Sequence, residues 1–340
     1  MAEVLLYAHD PGGANALSPL VGELKSRGHG VVVYGSGPAL DFLPGARRCV
    51  VSARELIDEV SPDFLFTGTS AADAVEKDLR VCARTRKIPS VAVLDHWVNY
   101  GVRFSHYTTA ESERYLVDRV FDRLPDYIVV MDQMAKTEMV KEGVSGEMIY
   151  VLGNPHFDVL NADFSSLSVD SLRNELLAGA KKLVVFASEP YTEDYGQGYE
   201  LEALRTVLRI LPKDVRLVVK PHPREQVDKF KGTGAFVLPR SVSALQAVKA
   251  SDVVVSMTSM VLIEAMICGR KAVSYQPGAH SADAFVLTKS GALPFIRDAD
   301  GLRNYLFSVL DEKFSQKKFL PHQGSAKRII DFMEKKLCRV

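Results

Sequence analysis

Short runs of apolar and β-branched residues alternate along the chain with longer stretches whose apolar positions recur at helical spacing. That alternation predicts parallel sheets covered by helices on both faces, because each parallel strand needs a crossover segment to bring the chain back. In the first half the strands read are Val4 to Ala8, Gly30 to Tyr34, Phe64 to Thr67, Ser90 to Leu94, Tyr127 to Val130 and Ile149 to Leu152. Gly153-Asn154-Pro155 and a polar stretch, Asn161 to Ser168, then interrupt the pattern. A second cycle opens with a helix over Val169 to Leu177 and runs through strands at Lys182 to Ala187, Arg216 to Lys220, Ala235 to Leu238, Asp252 to Ser256 and Lys271 to Tyr275. The last predicted helix, Ser325 to Lys336, carries Ile329, Ile330, Met333 and Leu337 at helical spacing, a stripe suited to packing back on the first domain.

At 340 residues the chain exceeds what one core usually holds. The expected organisation is therefore α/β, with Rossmann-like domains over 1–155 and 156–322 and a returning helix over 323–340. Lys+Arg and Asp+Glu are equal at 42 each, which excludes a bulk attraction to nucleic acid or to an anionic membrane. The cysteines, Cys49, Cys82, Cys268 and Cys338, have no metal-binding or disulfide spacing, and the first residues enter a strand without a leader pattern. Those features predict a cytoplasmic protein whose membrane contact is at most peripheral, at the inner face, since the apolar runs fall far short of the roughly 20 residues that span a bilayer.

Ligands of open α/β sheets sit beyond the carboxyl ends of the strands, so the loops there hold the candidate chemistry. After the first strand comes His9-Asp10-Pro11-Gly12-Gly13, where Gly12 and Gly13 let a ligand approach backbone at a helix start, and Asp10 is either a general base or an ordinary turn and N-cap residue. Thr67-Gly68-Thr69-Ser70 reads foremost as helix capping. Asp95-His96-Trp97 gathers a carboxylate, an imidazole and the single Trp, a set suited to acid–base work and to stacking on a sugar, or else to loop packing. In the second half Lys220-Pro221-His222-Pro223-Arg224 holds three cationic or imidazole groups in a proline-stiffened turn, as a diphosphate requires. Ser256-Met257-Thr258-Ser259 opens the helix Val261 to Cys268, where hydroxyls and N–H groups make a phosphate seat. Glu264, among apolar neighbours in that helix, is placed to accept hydrogen bonds from ribose hydroxyls.

These residues resemble the two-domain glycosyltransferase-B superfamily over most of the chain. Gly12-Gly13 is similar to its N-terminal glycine loop, Leu152 to Pro155 to the segment closing its first domain, and Asp252 to Gly269 followed by Lys271-Ala272-Val273 to its donor-binding strand, loop and helix. The resemblance implies that Glu264, five positions before Gly269, binds the ribose of a nucleotide. Lys220 to Pro223 with Ser256 to Ser259 also resembles the paired His-Pro and Ser/Thr motifs of bacterial sialyltransferases and capsule or teichoic acid transferases, which implies that His222, Thr258 and Ser259 hold donor phosphates. Ser188-Glu189-Pro190-Tyr191 departs from both the Gly-rich loop and the His-Arg-Arg-Glu-Asn run of UDP-N-acetylglucosamine 2-epimerases, and places a carboxylate beside those phosphates that a metal or Arg224 would have to offset.

The expectation is a glycosyltransferase moving a sugar or polyol phosphate from a nucleotide-activated donor to a carbohydrate, lipid-linked or small-molecule acceptor. Asp10 or the Asp95-His96 pair would be its base, the donor would lie in a cleft between the domains, and no metal or other cofactor would be needed. Gln276 to Ala284 and Gly101 to Tyr107 are expected to shape the sugar and acceptor pockets. A sugar-nucleotide epimerase or hydrolase and a non-catalytic nucleotide-sugar-binding subunit are the alternatives.

Overall fold

The computed structural model describes residues 1–196, 198–277, 285–316, 319 and 323–338. The chain divides into two compact units, Met1–Val159 with Pro321–Val340, and Leu160–Leu320. The division falls inside the helix Pro155–Ser166.

Unit 1 holds β1 (Glu3–Ala8), β2 (Gly30–Gly35), β3 (Arg47–Arg48), β4 (Phe64–Thr67), β5 (Ser90–Val93), β6 (Tyr127–Val130) and β7 (Ile149–Val151), in the order β3-β2-β1-β4-β5-β6-β7. Every pairing is parallel, with Leu5 opposite Val32 on one side and Leu65 on the other. Successive side chains of a strand face opposite ways. Val4, Leu6 and Ala8 accordingly pack with Leu17, Leu20 and Leu24 of the helix Pro11–Ser26, while Leu5 and Tyr7 pack with Leu56, Ile57, Leu79 and Ala83 of the helices on the other face. The helix Ser325–Leu337 joins the first of these layers, with Ile329, Ile330 and Met333 fully buried. Arg27 ties it down by bonds to Asp331 (2.7 Å) and Glu334 (2.9 Å).

Unit 2 holds β8 (Lys182–Ala187), β9 (Val215–Lys220), β10 (Phe236–Val237), β11 (Val253–Ser256) and β12 (Lys271–Ser274), ordered β10-β9-β8-β11-β12 and again all parallel. Val184 and Phe186 face a core with Leu204 and Val207, and Leu183 and Val185 face one with Leu176 and Ala247.

Two elements differ from the expectation. The polar stretch from Asn161 is the tail of the helix Pro155–Ser166, carried by a first half in which Phe157 and Leu160 are buried. Arg47–Arg48 forms a strand with no apolar signature because it is an exposed edge, held only by its pairing with Tyr34 and Gly35 and guarded by charge. Among the described residues no helix is long and apolar enough to cross a membrane.

Candidate functional site

In each sheet the winding reverses at one pair of neighbouring strands, β1 and β4 in unit 1, β8 and β11 in unit 2. The crevice beyond the carboxyl ends at such a reversal is where open α/β sheets take ligands, because the crossovers leave it in opposite directions. The loops His9–Gly13 and Thr67–Ser70 flank the first reversal; Ser188–Tyr191 and Ser256–Ser259 flank the second.

At the second reversal the Ser256–Ser259 loop surrounds an anion, and that anion belongs to the protein. Glu189 Oε1 accepts from the Met257 amide (3.0 Å) and the Thr258 amide (2.7 Å) and lies 2.9 Å from Ser256 Oγ; Oε2 accepts from Thr258 Oγ1 (2.7 Å). Burial pushes the Glu189 carboxyl above its ordinary range, and these hydroxyl and amide donors pull it partly back. The loop itself thus supplies donors that offset Glu189, a source beyond the metal or Arg224 considered from the sequence. Ser259 is the N-cap of the helix Met260–Ile267, its hydroxyl accepting from the Val261 amide at 3.2 Å. Glu264 lies half-buried on that helix, and its charge is one of the causes, after burial, that push the Cys268 thiol up to about 12.

The turn after β9 is braced at several points. The His222 amide donates to Glu225 Oε2 (2.5 Å), Ser188 Oγ donates to Glu225 Oε1 (2.7 Å), and Arg240 donates to the carbonyls of Pro223 (2.8 Å) and Glu225 (3.1 Å). His222 Nδ1 accepts from the Arg224 amide at 3.2 Å, so the proton of the neutral ring sits on Nε2 and that nitrogen is a donor. Lys220 ends β9 half-buried, its ammonium pKa lowered by burial and then by Arg240, while Arg224 is exposed. Beside the turn, Glu193, Glu200 and Glu225 bring carboxylate oxygens within 4.8 Å of one another, spacing that would suit a metal ion. Lys229 Nζ stands among them at 2.8, 2.7 and 2.7 Å.

At the first reversal Asp10 occupies the N-cap position of the helix Pro11–Ser26, but its side chain caps nothing. Its Oδ1 pairs instead with His9 Nδ1 at 2.9 Å, and this bond, ahead of the opposing effect of burial, raises the His9 pKa. Below them the fully buried Glu76 ties both loops together, accepting from the His9 amide (3.1 Å) and the Ser70 amide (2.5 Å), with Arg80 at 3.8 Å. Burial pushes the Glu76 carboxyl up to about 8. Asp95 is buried and takes Thr69 Oγ1 and Arg103 on Oδ1, both at 3.0 Å, so Arg103 is its ion-pair partner; His96 beside it is half-buried.

Several sequence readings change here. Gly12 and Gly13 make room for protein: a Cβ on Gly12 would meet Asp95 Oδ2 at 1.9 Å, and one on Gly13 would meet Gly68 Cα at 3.2 Å. Trp97 is buried, its indole N–H donating to Asp132 (2.8 Å) and its ring stacked on Phe157, so it offers no face to a sugar. Gly101 to Tyr107 begins with the short helix Tyr100–Arg103, and Lys77 anchors it through the carbonyls of Val102 (3.1 Å) and Tyr107 (2.5 Å). Of the Gln276 to Ala284 segment, Gln276 is buried and bonded to Ser274 (3.2 Å), and 278–284 lie outside the described residues. His9, Glu76, Arg103, Glu225, Lys229 and Arg240 escaped the sequence reading; only His9, beside Asp10 at a strand end, carried a signal that could have found it.

Two parallel α/β units, each with its polar loops at the point where the sheet reverses, define the glycosyltransferase-B class of fold. Within it, the chain belongs to the family described as a protein of unknown function (DUF354), whose profile matches residues 47–337. No curated protein sequence matches the chain. Among solved structures it is similar to a UDP-GlcNAc 2-epimerase of Methanocaldococcus jannaschii, solved with UDP-GlcNAc and UDP, with a TM-score of 0.71 and 14% identity over 98% of this chain and 99% of that one. The enzyme of the same name from Neisseria meningitidis, bound to UDP-GlcNAc, has a TM-score of 0.69 and 12% identity over 98% and 100%. Alr3699/HepE of Anabaena, in complex with UDP and glucose, has a TM-score of 0.60 and 16% identity over 92% and 90%.

Proposed function

We propose that the protein is an enzyme acting on a nucleotide-activated sugar, with the nucleotide held by unit 2. The observation that carries this is the ring of amide and hydroxyl donors from Ser256, Met257 and Thr258 closed around a carboxylate at the end of β11. Donors so arranged at a helix start suit a phosphate oxygen as well as a carboxylate. His222, with its ring proton on Nε2, adds a donor for the same phosphates, and Glu264, just over one turn into the helix, is the acceptor assigned to the ribose hydroxyls.

The reaction assigned is glycosyl or polyol-phosphate transfer to an acceptor hydroxyl. Departure of the nucleotide leaves negative charge on its phosphate, which the loop amides and His222 offset. Unit 1 supplies the acid–base group, and the His9–Asp10 pair suits it best: an imidazole held by a carboxylate 2.9 Å away, whose hydrogen bond raises its pKa and strengthens it as a base. No step of this chemistry calls for a metal, so turnover is expected to survive a chelator. Epimerisation of the sugar nucleotide is a second reading, favoured by the likeness in fold to the Methanocaldococcus and Neisseria enzymes.

Thermal shift with UDP, CDP, CMP, GDP and dTDP tests the nucleotide assignment, since a ligand at 100 times its Kd adds about 2.7 kcal/mol to native stability. One base is expected to stabilise the protein, with the shift lost in Glu264→Ala and His222→Ala. No shift with any nucleotide would overturn the reading. Turnover of the donor without an acceptor would favour epimerisation or hydrolysis over transfer.

A further inference from the structure

The proposed phosphate seat is already filled. Glu189 leaves the end of β8, crosses the reversal point and engages the donors of the β11 loop with both carboxylate oxygens, at distances from 2.7 to 3.0 Å. Its attachment is firm on both sides. Ser188 before it is buried and bonded to Glu225, and Tyr191 after it brings its hydroxyl within 3.3 Å of Thr258 Oγ1. A phosphate oxygen and this carboxylate cannot take the same amide protons at once, and two anions side by side in a half-buried loop repel.

We propose that Glu189 is a specificity-determining residue, an internal anion that any ligand phosphate must displace. The inference rests on the assignment of the Ser256–Ser259 loop as the phosphate seat. Simple anions, which have nothing but the loop to bind, are rejected by this arrangement. A nucleotide has base and ribose contacts besides its phosphates, and those contacts drive the exchange. The affinity of any external anion is reduced by the fraction of molecules whose seat is open, so a seat open in about one molecule in ten weakens binding about tenfold.

The test is calorimetric titration of the full chain with inorganic pyrophosphate and with UDP, CDP, CMP, GDP and dTDP, using wild type, Glu189→Ala, Glu189→Gln and the double variant Glu189→Ala, Thr258→Val. Thermal melts establish that each variant is folded, and Glu189→Gln, which keeps the side-chain shape without its charge, serves if the alanine variant is not. Pyrophosphate is expected to bind Glu189→Ala at least about tenfold more tightly than wild type. The neutral Gln should give a smaller gain, and Thr258→Val, which deletes one hydroxyl donor and keeps the loop amides, should reduce the gain. Equal or weaker pyrophosphate binding by the folded variants overturns the proposal. A pyrophosphate gain in a protein that binds none of the nucleotides leaves Glu189 as the internal anion and sinks the nucleotide reading. Nucleotide binding by wild type that is lost in Glu189→Ala keeps the nucleotide reading and sinks the role given to Glu189.

Discussion

Gly12 and Asp95 are in contact across the reversal point of unit 1: a Cβ on Gly12 would stand 1.9 Å from Asp95 Oδ2. The carboxylate is held in place by its other oxygen, which Thr69 and Arg103 each bond at 3.0 Å. Gly12→Ala therefore forces the helix start or the Asp95–Arg103 pair to move, an overpacking cost of about 1–3 kcal/mol. Better helix propensity of Ala offsets only part of that. Chemical denaturation of Gly12→Ala should show unit 1 destabilised, and Asp95→Ala in the same chain should relieve most of the added cost. A Gly12→Ala chain as stable as wild type would mean that the contact is not limiting.

The strands could be read from the sequence because both faces of each sheet are covered, leaving near-continuous apolar runs such as Val4 to Ala8 and Val253 to Val255. Loop positions followed from strand ends. Their bonding did not follow. Asp95 and His96 are adjacent in sequence, yet Asp95 is held by Thr69, which the neighbouring strand β4 delivers, and by Arg103, which the Tyr100–Arg103 helix brings to it. Glu189 and Thr258 are 69 residues apart and meet only because β8 and β11 are neighbours, an order that no local pattern encodes. Gly12 carries the same lesson: the side chain nearest the place of its missing Cβ is that of Asp95, a residue far along the chain.

Lys229 is the counter-charge of three carboxylates, two of which, Glu200 and Glu225, are fully buried. Its removal leaves them facing one another without compensation, which typically costs about 3–5 kcal/mol. Lys229→Met should destabilise unit 2 by that order in urea unfolding, and adding Glu200→Gln should restore part of it by deleting one buried charge. Because Glu225 also holds the His222 amide at 2.5 Å, Lys229→Met should weaken nucleotide binding as well. Unchanged stability in Lys229→Met would show that the three carboxylates are protonated or paired otherwise.

Glu76 makes the stability of unit 1 depend on pH. Its carboxyl is pushed by burial from 4.5 to about 8, so the folded chain retains a proton that the unfolded chain releases over that interval. Stability then falls as pH rises from 4.5 towards 8, since the native state binds more protons than the unfolded one. Glu76→Gln removes this titration while leaving an oxygen to accept from the loop amides. The melting temperature of Glu76→Gln relative to wild type should therefore climb as pH rises through this range. A difference that stays flat, or falls, would mean that Arg80 at 3.8 Å keeps the carboxylate charged.

The His9–Asp10 pair titrates with the opposite chemistry but the same sense. Hydrogen bonding to Asp10 raises the His9 pKa above 6.5, so the pair contributes stability that is fully present below 6.5 and lost as pH rises through the folded value. Asp10→Asn replaces the charged partner by a neutral one, and should lower the His9 pKa and remove that acid-side stabilisation. Histidine proton resonances followed by NMR report the shift directly, with His9→Gln identifying the signal. The activity profile supplies an independent reading: if His9 is the base, the acidic limb of kcat/KM moves to lower pH in Asp10→Asn, because the imidazole loses its proton sooner. A His9 signal that titrates at the same pH in both chains would exclude Asp10 as the residue that tunes it. A shifted signal with an unmoved activity profile would keep the pair and deny it the role of base.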